Sequence, residues 1–162
     1  MRVMCDTNFL LDFFNVGSSD RDCDAAKDVV SLCIMNAVDL MITPSTLKDF
    51  RYIFASRRKR AAQIANGEIS KRDAAAVKAI VEAATNTVFE LFTVAATGQV
   101  DCDMARVLMK THDDFEDNII AAVALRTDAN CIITRNKAFA KHCPVTCRDP
   151  EAMMLMLNAG AR

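Results

Sequence analysis

Short apolar runs alternate along this chain with longer stretches in which apolar residues recur every three or four positions. The runs have strand length and the stretches have helical spacing. A strand is predicted at about Arg2 to Cys5, then a short helix to about Phe14 and a polar loop holding Gly17, Ser18 and Ser19. Asp22 or Asp24 opens a second helix through Ala25, Ala26, Val29, Val30, Leu32 and Cys33, and Leu40-Met41-Ile42 is a second strand. Thr43 and Pro44 suit the N-cap and first position of a third helix, which runs through Leu47, Phe50, Ile53 and Phe54 into Arg57-Arg58-Lys59-Arg60. Gly67 breaks the pattern, and Ser70 with Asp73 has capping-box spacing for a helix through Ala84. A third strand falls within Val88 to Val94. Helices at about Val100 to Met109 and from Asp114-Asp117 through Leu125 precede a fourth strand, Cys131 to Thr134, ending in Arg135-Asn136. Val145-Thr146 is a short fifth strand, and Asp149-Pro150 starts a terminal helix. Strands alternating with helices predict an α/β fold of three layers, α/β/α, around a central parallel sheet of four to five short strands.

Composition narrows the setting. The 162 residues suit a single domain, residues 1–162. Net charge is -1, so no global field draws nucleic acid, and affinity of that kind must come from a local patch. The longest uninterrupted apolar run, Ile119 to Leu125, is far too short to span a membrane. Seven scattered cysteines without a signal peptide predict reduced thiols and a cytoplasmic protein.

The same pattern aims four polar positions at the carboxyl edge of the sheet, where open α/β folds bind ligands. Asp6 ends the first strand, and Asp49 lies one turn inside the helix after the second. Asp117, with Asp114 three residues before it on the same face, sits in the first turn of a helix. Asn136 follows the fourth strand. Two carboxylates about 4 Å apart repel by roughly 4 kcal/mol at an effective dielectric near 20, so converging acids need protons or a cation. Oxygen ligands without His or a Cys pair favour Mg²⁺ or Mn²⁺. Such an ion, with water in its open positions, is the apparatus for hydrolysing a phosphodiester. Each acid also has a plainer role: Asp6 and Asp114 suit helix caps, Asp117 a helix dipole, Asp49 a solvent-facing position.

Four segments carry a resemblance. They are Asp6-Thr7-Asn8-Phe9-Leu10-Leu11-Asp12, Thr43-Pro44-Ser45-Thr46-Leu47-Lys48-Asp49, Asp114-Phe115-Glu116-Asp117-Asn118-Ile119-Ile120-Ala121-Ala122, and Ala129-Asn130-Cys131-Ile132-Ile133-Thr134-Arg135-Asn136. Together they resemble the PIN domain, the nuclease domain of many toxin–antitoxin ribonucleases, over nearly the whole chain. The resemblance implies a Mg²⁺- or Mn²⁺-dependent endoribonuclease acting on single-stranded RNA, with an antitoxin as protein partner. Asp6, Asp49 and Asp117 match the family's metal-site acids, and Asn8 matches the polar residue beside the first acid. The middle acid is more often Glu in the family, and here it is Asp49. The fourth position is often Asp, and here it is Asn136, whose amide oxygen can ligate a metal but brings no charge. The resulting reading is one ion held by Asp6, Asp49 and Asp117. Asp114 supplies part of the missing charge, Asn136 orients the metal shell, and Asn8 and Thr134 support the ligands.

Arg51, Arg57, Arg58, Lys59 and Arg60, with Arg135 at the sheet edge, are candidate phosphate contacts for RNA. Their plainer role is a solvated helix end. His142, Cys143 and Cys147 complete no zinc pattern, and the thiols read as small hydrophobes. His112, ahead of the acids, reads as a loop residue, with a proton shuttle as its alternative role. Met153 to Leu157 are apolar nearly all round and predict core plus a contact with a second copy, as a dimer, or with a partner. Two readings compete with the nuclease. One is a PIN-like module that binds RNA or protein with little or no catalysis, marked by Asn136. The other is a phosphatase with Asp6 as nucleophile, which would want an acid where Asn8 stands.

Overall fold

The computed structural model describes residues 1–160. Five strands, β1 (Arg2–Cys5), β2 (Asp39–Ile42), β3 (Thr93–Val94), β4 (Cys131–Ile133) and β5 (Cys147–Arg148), form one sheet in the order β3-β2-β1-β4-β5. Every pairing is parallel, with Val3 of β1 opposite both Leu40 of β2 and Cys131 of β4. The helices are α1 (Thr7–Phe13), α2 (Asp20–Met35), α3 (Pro44–Asn66), α4 (Lys71–Leu91), α5 (Gln99–Leu108), α6 (Phe115–Arg126), α7 (Lys137–His142) and α8 (Pro150–Gly160). Among the described residues, no helix is long and apolar enough to cross a membrane.

The three layers follow from strand alternation. Val3, Cys5, Leu40, Ile42, Cys131 and Ile133 turn to one face and pack with α1, α2, α3, α4 and α8. Met4, Met41 and Ile132 turn to the other, against α5, α6 and Phe139 of α7. Because both faces are covered, the central strands read as continuous apolar runs. The chain leaves β1 outward through β2 and β3, then returns to β4 on the opposite side. The crevice between the ends of β1 and β4 is therefore the switch point at which such sheets bind ligands.

Four boundaries differ from the sequence expectation. α2 begins at Asp20 rather than at Asp22 or Asp24, because Ser19 accepts from the Asp22 amide and caps the helix two residues earlier. α4 continues to Leu91, so Val88 is a buried helix residue in line with Val77, Val81 and Ala84, and β3 keeps only two residues. α7 was not anticipated, since six residues hold too little periodicity to register. β5 lies at Cys147–Arg148, two positions beyond Val145-Thr146. In α8, Met153 and Leu157 are buried and Leu155 is 74% exposed. Met154 and Met156 are partly buried and pack against the same cluster, so the segment supplies the core expected of it.

Candidate active site

Asp6, Asp49, Asp114, Glu116 and Asp117 line one cleft of about 380 Å³ at the carboxyl edge of the sheet, with Asn8, Tyr52 and Asn136 in its wall. Among the described residues, none of those lining it is Lys, Arg or His. Nor does any group of three or more Asp, Glu, His or Cys side chains stand close enough together to hold a metal ion as arranged. The chemistry of the wall nevertheless fits a hard cation, with five carboxyl groups and no thiol or imidazole.

Asp6 is fixed from two sides. Its Oδ1 accepts the Phe9 amide at 2.8 Å, capping α1, and its Oδ2 accepts the Thr134 hydroxyl at 2.5 Å. Thr134 Oγ1 in turn accepts the Asn136 amide N–H at 2.9 Å. Asn136 caps α7, its Oδ1 accepting from the amides of Ala138 and Phe139 at 3.1 Å each. That leaves its Nδ2 to donate to Asp117 Oδ2 at 2.9 Å. His112 Nε2 lies 2.9 Å from the same oxygen, and the His112 carbonyl accepts from Asn118 Nδ2 at 2.7 Å. A continuous chain, Asp6, Thr134, Asn136, Asp117 and His112, thus crosses the switch point. Burial pushes the Asp6 carboxyl up to about 6, against the pull of the Thr134 and Phe9 bonds, and the charges of Asp117 and Asp12 add to the rise. Burial also raises Asp117, with His112 pulling back and Asp114 adding.

Asp49 sits one turn into α3, its Oδ1 3.1 Å from Lys48 Nζ. Beside it stands Glu116, raised to about 7 by burial first and then by Asp49. Asp49 is lowered, chiefly by its hydrogen bond with Glu116. As two carboxylates these groups cannot bond, but with one proton between them Glu116 donates to Asp49. Glu116 Oε1 is sealed from solvent and has no hydrogen-bond partner. Sequence reasoning passed over Glu116. The available signal was the acid density of Asp113-Asp114-Phe115-Glu116-Asp117, which exceeds what one helix cap needs.

Several expected roles change. Asn8 is exposed on the cleft wall and makes no hydrogen bond to Asp6 among the described residues; Thr134 and the Phe9 amide orient that acid instead. The Asn136 amide oxygen is committed to capping α7, so this side chain positions Asp117 and is not free to ligate. Asp114 caps α6, its Oδ1 accepting from the Glu116 and Asp117 amides at 2.9 and 3.2 Å. His112 is not an idle loop residue, since its side chain is 13% exposed and holds Asp117. Arg135 is no free phosphate contact. Its guanidinium meets Asp12 at 3.1 Å, Asp22 at 3.0 Å and Glu151 at 3.0 Å, tying α1, α2 and α8 to the end of β4. Arg57 donates to the Val16 carbonyl, and Arg58 lies 5.1 Å over the Phe54 ring. Arg51 and Lys59 line a groove between α3 and α4, while Arg60 is exposed. Consecutive helix residues fan out around the axis, so a contiguous basic run makes no single basic face.

Comparison with known proteins adds to this geometry. A family model described as PIN domain matches residues 2–138. Among solved structures, the chain is similar to VapBC2 from Rickettsia felis, solved bound to a DNA fragment from their promoter. The TM-score is 0.64 at 15% identity, over 92% of this chain and 98% of that one. It is also similar to FitAcB from Neisseria gonorrhoeae, with TM-score 0.59 at 15% identity over the same shares of the two chains. No curated protein matches it in sequence.

Proposed function

The chain belongs to the PIN domain family, and on that premise we propose that it is a divalent-metal-dependent endoribonuclease that hydrolyses phosphodiesters of single-stranded RNA, serving as the toxin of a toxin–antitoxin pair. The observation that supports this most is the cleft itself: five carboxyl groups at the switch point and no basic side chain among the described residues that line it. Asp6, Asp49 and Asp117, with Asp114 at the rim, would hold Mg²⁺ or Mn²⁺. When bound, the ion supplies an activated water and charge stabilisation at the phosphate.

The protein's own residues prepare that chemistry. Thr134 and the Phe9 amide hold Asp6, while Asn136 and His112 fix Asp117 on one oxygen and leave the other directed by neither. Burial and the neighbouring Asp49 raise the Glu116 carboxyl, so it must give up its proton before both acids carry charge. The likeness to VapBC2, solved on DNA from its promoter, supports an antitoxin partner for this chain.

Asp6→Asn and Asp117→Asn are each expected to abolish Mn²⁺-dependent cleavage of single-stranded RNA while circular dichroism and melting report an intact fold. Wild-type rates in either variant would discard the mechanism. A second reading draws on Asn136, which removes a charge from the acid set: a PIN domain that binds RNA or protein and cuts weakly. Metal-independent, salt-sensitive RNA binding without scission would favour it.

A further inference from the structure

The cleft poses a problem for its own proposed substrate. Carboxyl groups line it without a cation, and the basic run that could have met phosphates is dispersed around α3. In the metal-free protein the acids therefore repel the phosphate backbone, and the bases are the available source of affinity there. Unpaired bases are held by stacking on aromatic side chains.

Of the chain's nine Phe and one Tyr, three are exposed: Tyr52, Phe89 and Phe115. Two of these stand at the acids. Tyr52, 72% exposed and three residues past Asp49 on α3, lines the acid cleft. Phe115, 45% exposed at the start of α6, lines an adjoining cavity of about 280 Å³. The two spaces share Asp49 and Glu116 as their common wall. The second also presents Ser45 and Thr97, whose hydroxyls can meet a base edge, and Lys48. A single exposed ring needs no explanation, but two rings on opposite sides of one carboxyl pair do.

We propose that Tyr52 and Phe115 are stacking platforms that seat unpaired nucleobases on either side of the phosphodiester presented to the acid cleft. The proposal rests on the single-stranded RNA reading above, and its test separates the two. Binding of a fluorescent eight-nucleotide single-stranded RNA, and of the same strand with abasic central positions, is measured in EDTA to keep the strand intact. The proteins are wild type, Tyr52→Ala, Phe115→Ala, Tyr52→Phe and Phe115→Tyr. A strand carrying 2-aminopurine reports stacking by quenching, and Mn²⁺-dependent scission is followed in parallel.

Wild type is expected to prefer the base-bearing strand by about tenfold or more. Each alanine variant should lose most of that preference and of the quenching, and the aromatic replacements should retain both. Equal binding of the two strands by wild type overturns the proposal. So do alanine variants that bind like wild type, which would leave the rings to a protein partner. Scission without base preference removes the platforms and keeps the nuclease; base-dependent binding without scission does the reverse.

Discussion

Asn136 shows at the scale of one residue what an uncharged side chain does among acids. Its amide donates to Asp117 where an aspartate would set carboxylate against carboxylate. Its other atom caps α7, a task an aspartate would keep. Asn136→Asp should therefore lower the stability of the metal-free protein by about 1–3 kcal/mol, from one lost hydrogen bond and one new repulsion. Mn²⁺ should close that deficit if the cleft holds the ion; melts in EDTA and in Mn²⁺ measure both, and a deficit indifferent to the metal counts against a site there. Glu116→Gln makes a complementary case. Glutamine donates to Asp49 at any pH, whereas Glu116 does so only while protonated, so the variant should melt higher than wild type in EDTA above about pH 7. An equal or lower melting temperature would deny the shared proton. Asp6, Asp49 and Asp117 were legible in the sequence because each follows a strand or helix-start signal. Glu116 and His112 were not, because their importance lies in partners reached only through the fold.

Among the elements, the end of β4 is a junction. Arg135 joins three carboxylates from α1, α2 and α8, and Asp12, one of them, is itself buried. Removing the cation strands those charges, so Arg135→Ala is expected to destabilise the fold by about 3 kcal/mol. Wild-type stability combined with weakened RNA binding would restore the role the sequence suggested. On the opposite face, Arg126 Nε meets the buried Asp101 at 2.7 Å and ties α6 to α5. Helices were legible where a cap coincides with an apolar period: Thr43 before α3 and Asp114 before α6, which carry the site, and Ser70 before α4, which does not. α7 escaped notice because its cap is Asn136, which read as part of the acid set. The extra turns of α4 were misread because Val88 through Val94 has strand composition, and burial against the sheet overrode it.

For the molecule as a whole, the raised acids fix the sign of its pH dependence. A carboxyl raised in the folded state holds a proton that the unfolded chain has released, so its stabilising effect is complete below the unfolded value and is lost as pH climbs through the folded one. Asp6, lifted from 3.8 to about 6, should by itself cost about 3 kcal/mol of metal-free stability between roughly pH 4 and 6. Melts of wild type and Asp6→Asn across that window isolate the effect, because the variant should show a flatter decline; parallel curves would refute the assignment. A divalent ion binds the ionised acids, so the melting gain from Mn²⁺ should be larger at pH 7.5 than at pH 5. The cleft also has a place in time. Asp6 and the Thr134 that orients it lie 128 positions apart, each just past the end of a strand, and β1 and β4 must pair before either is fixed. A nascent chain leaving the ribosome N-terminus first carries two of the acids with nothing opposite them. An enzyme of the kind proposed would stay harmless to its own message until the ribosome has passed β4.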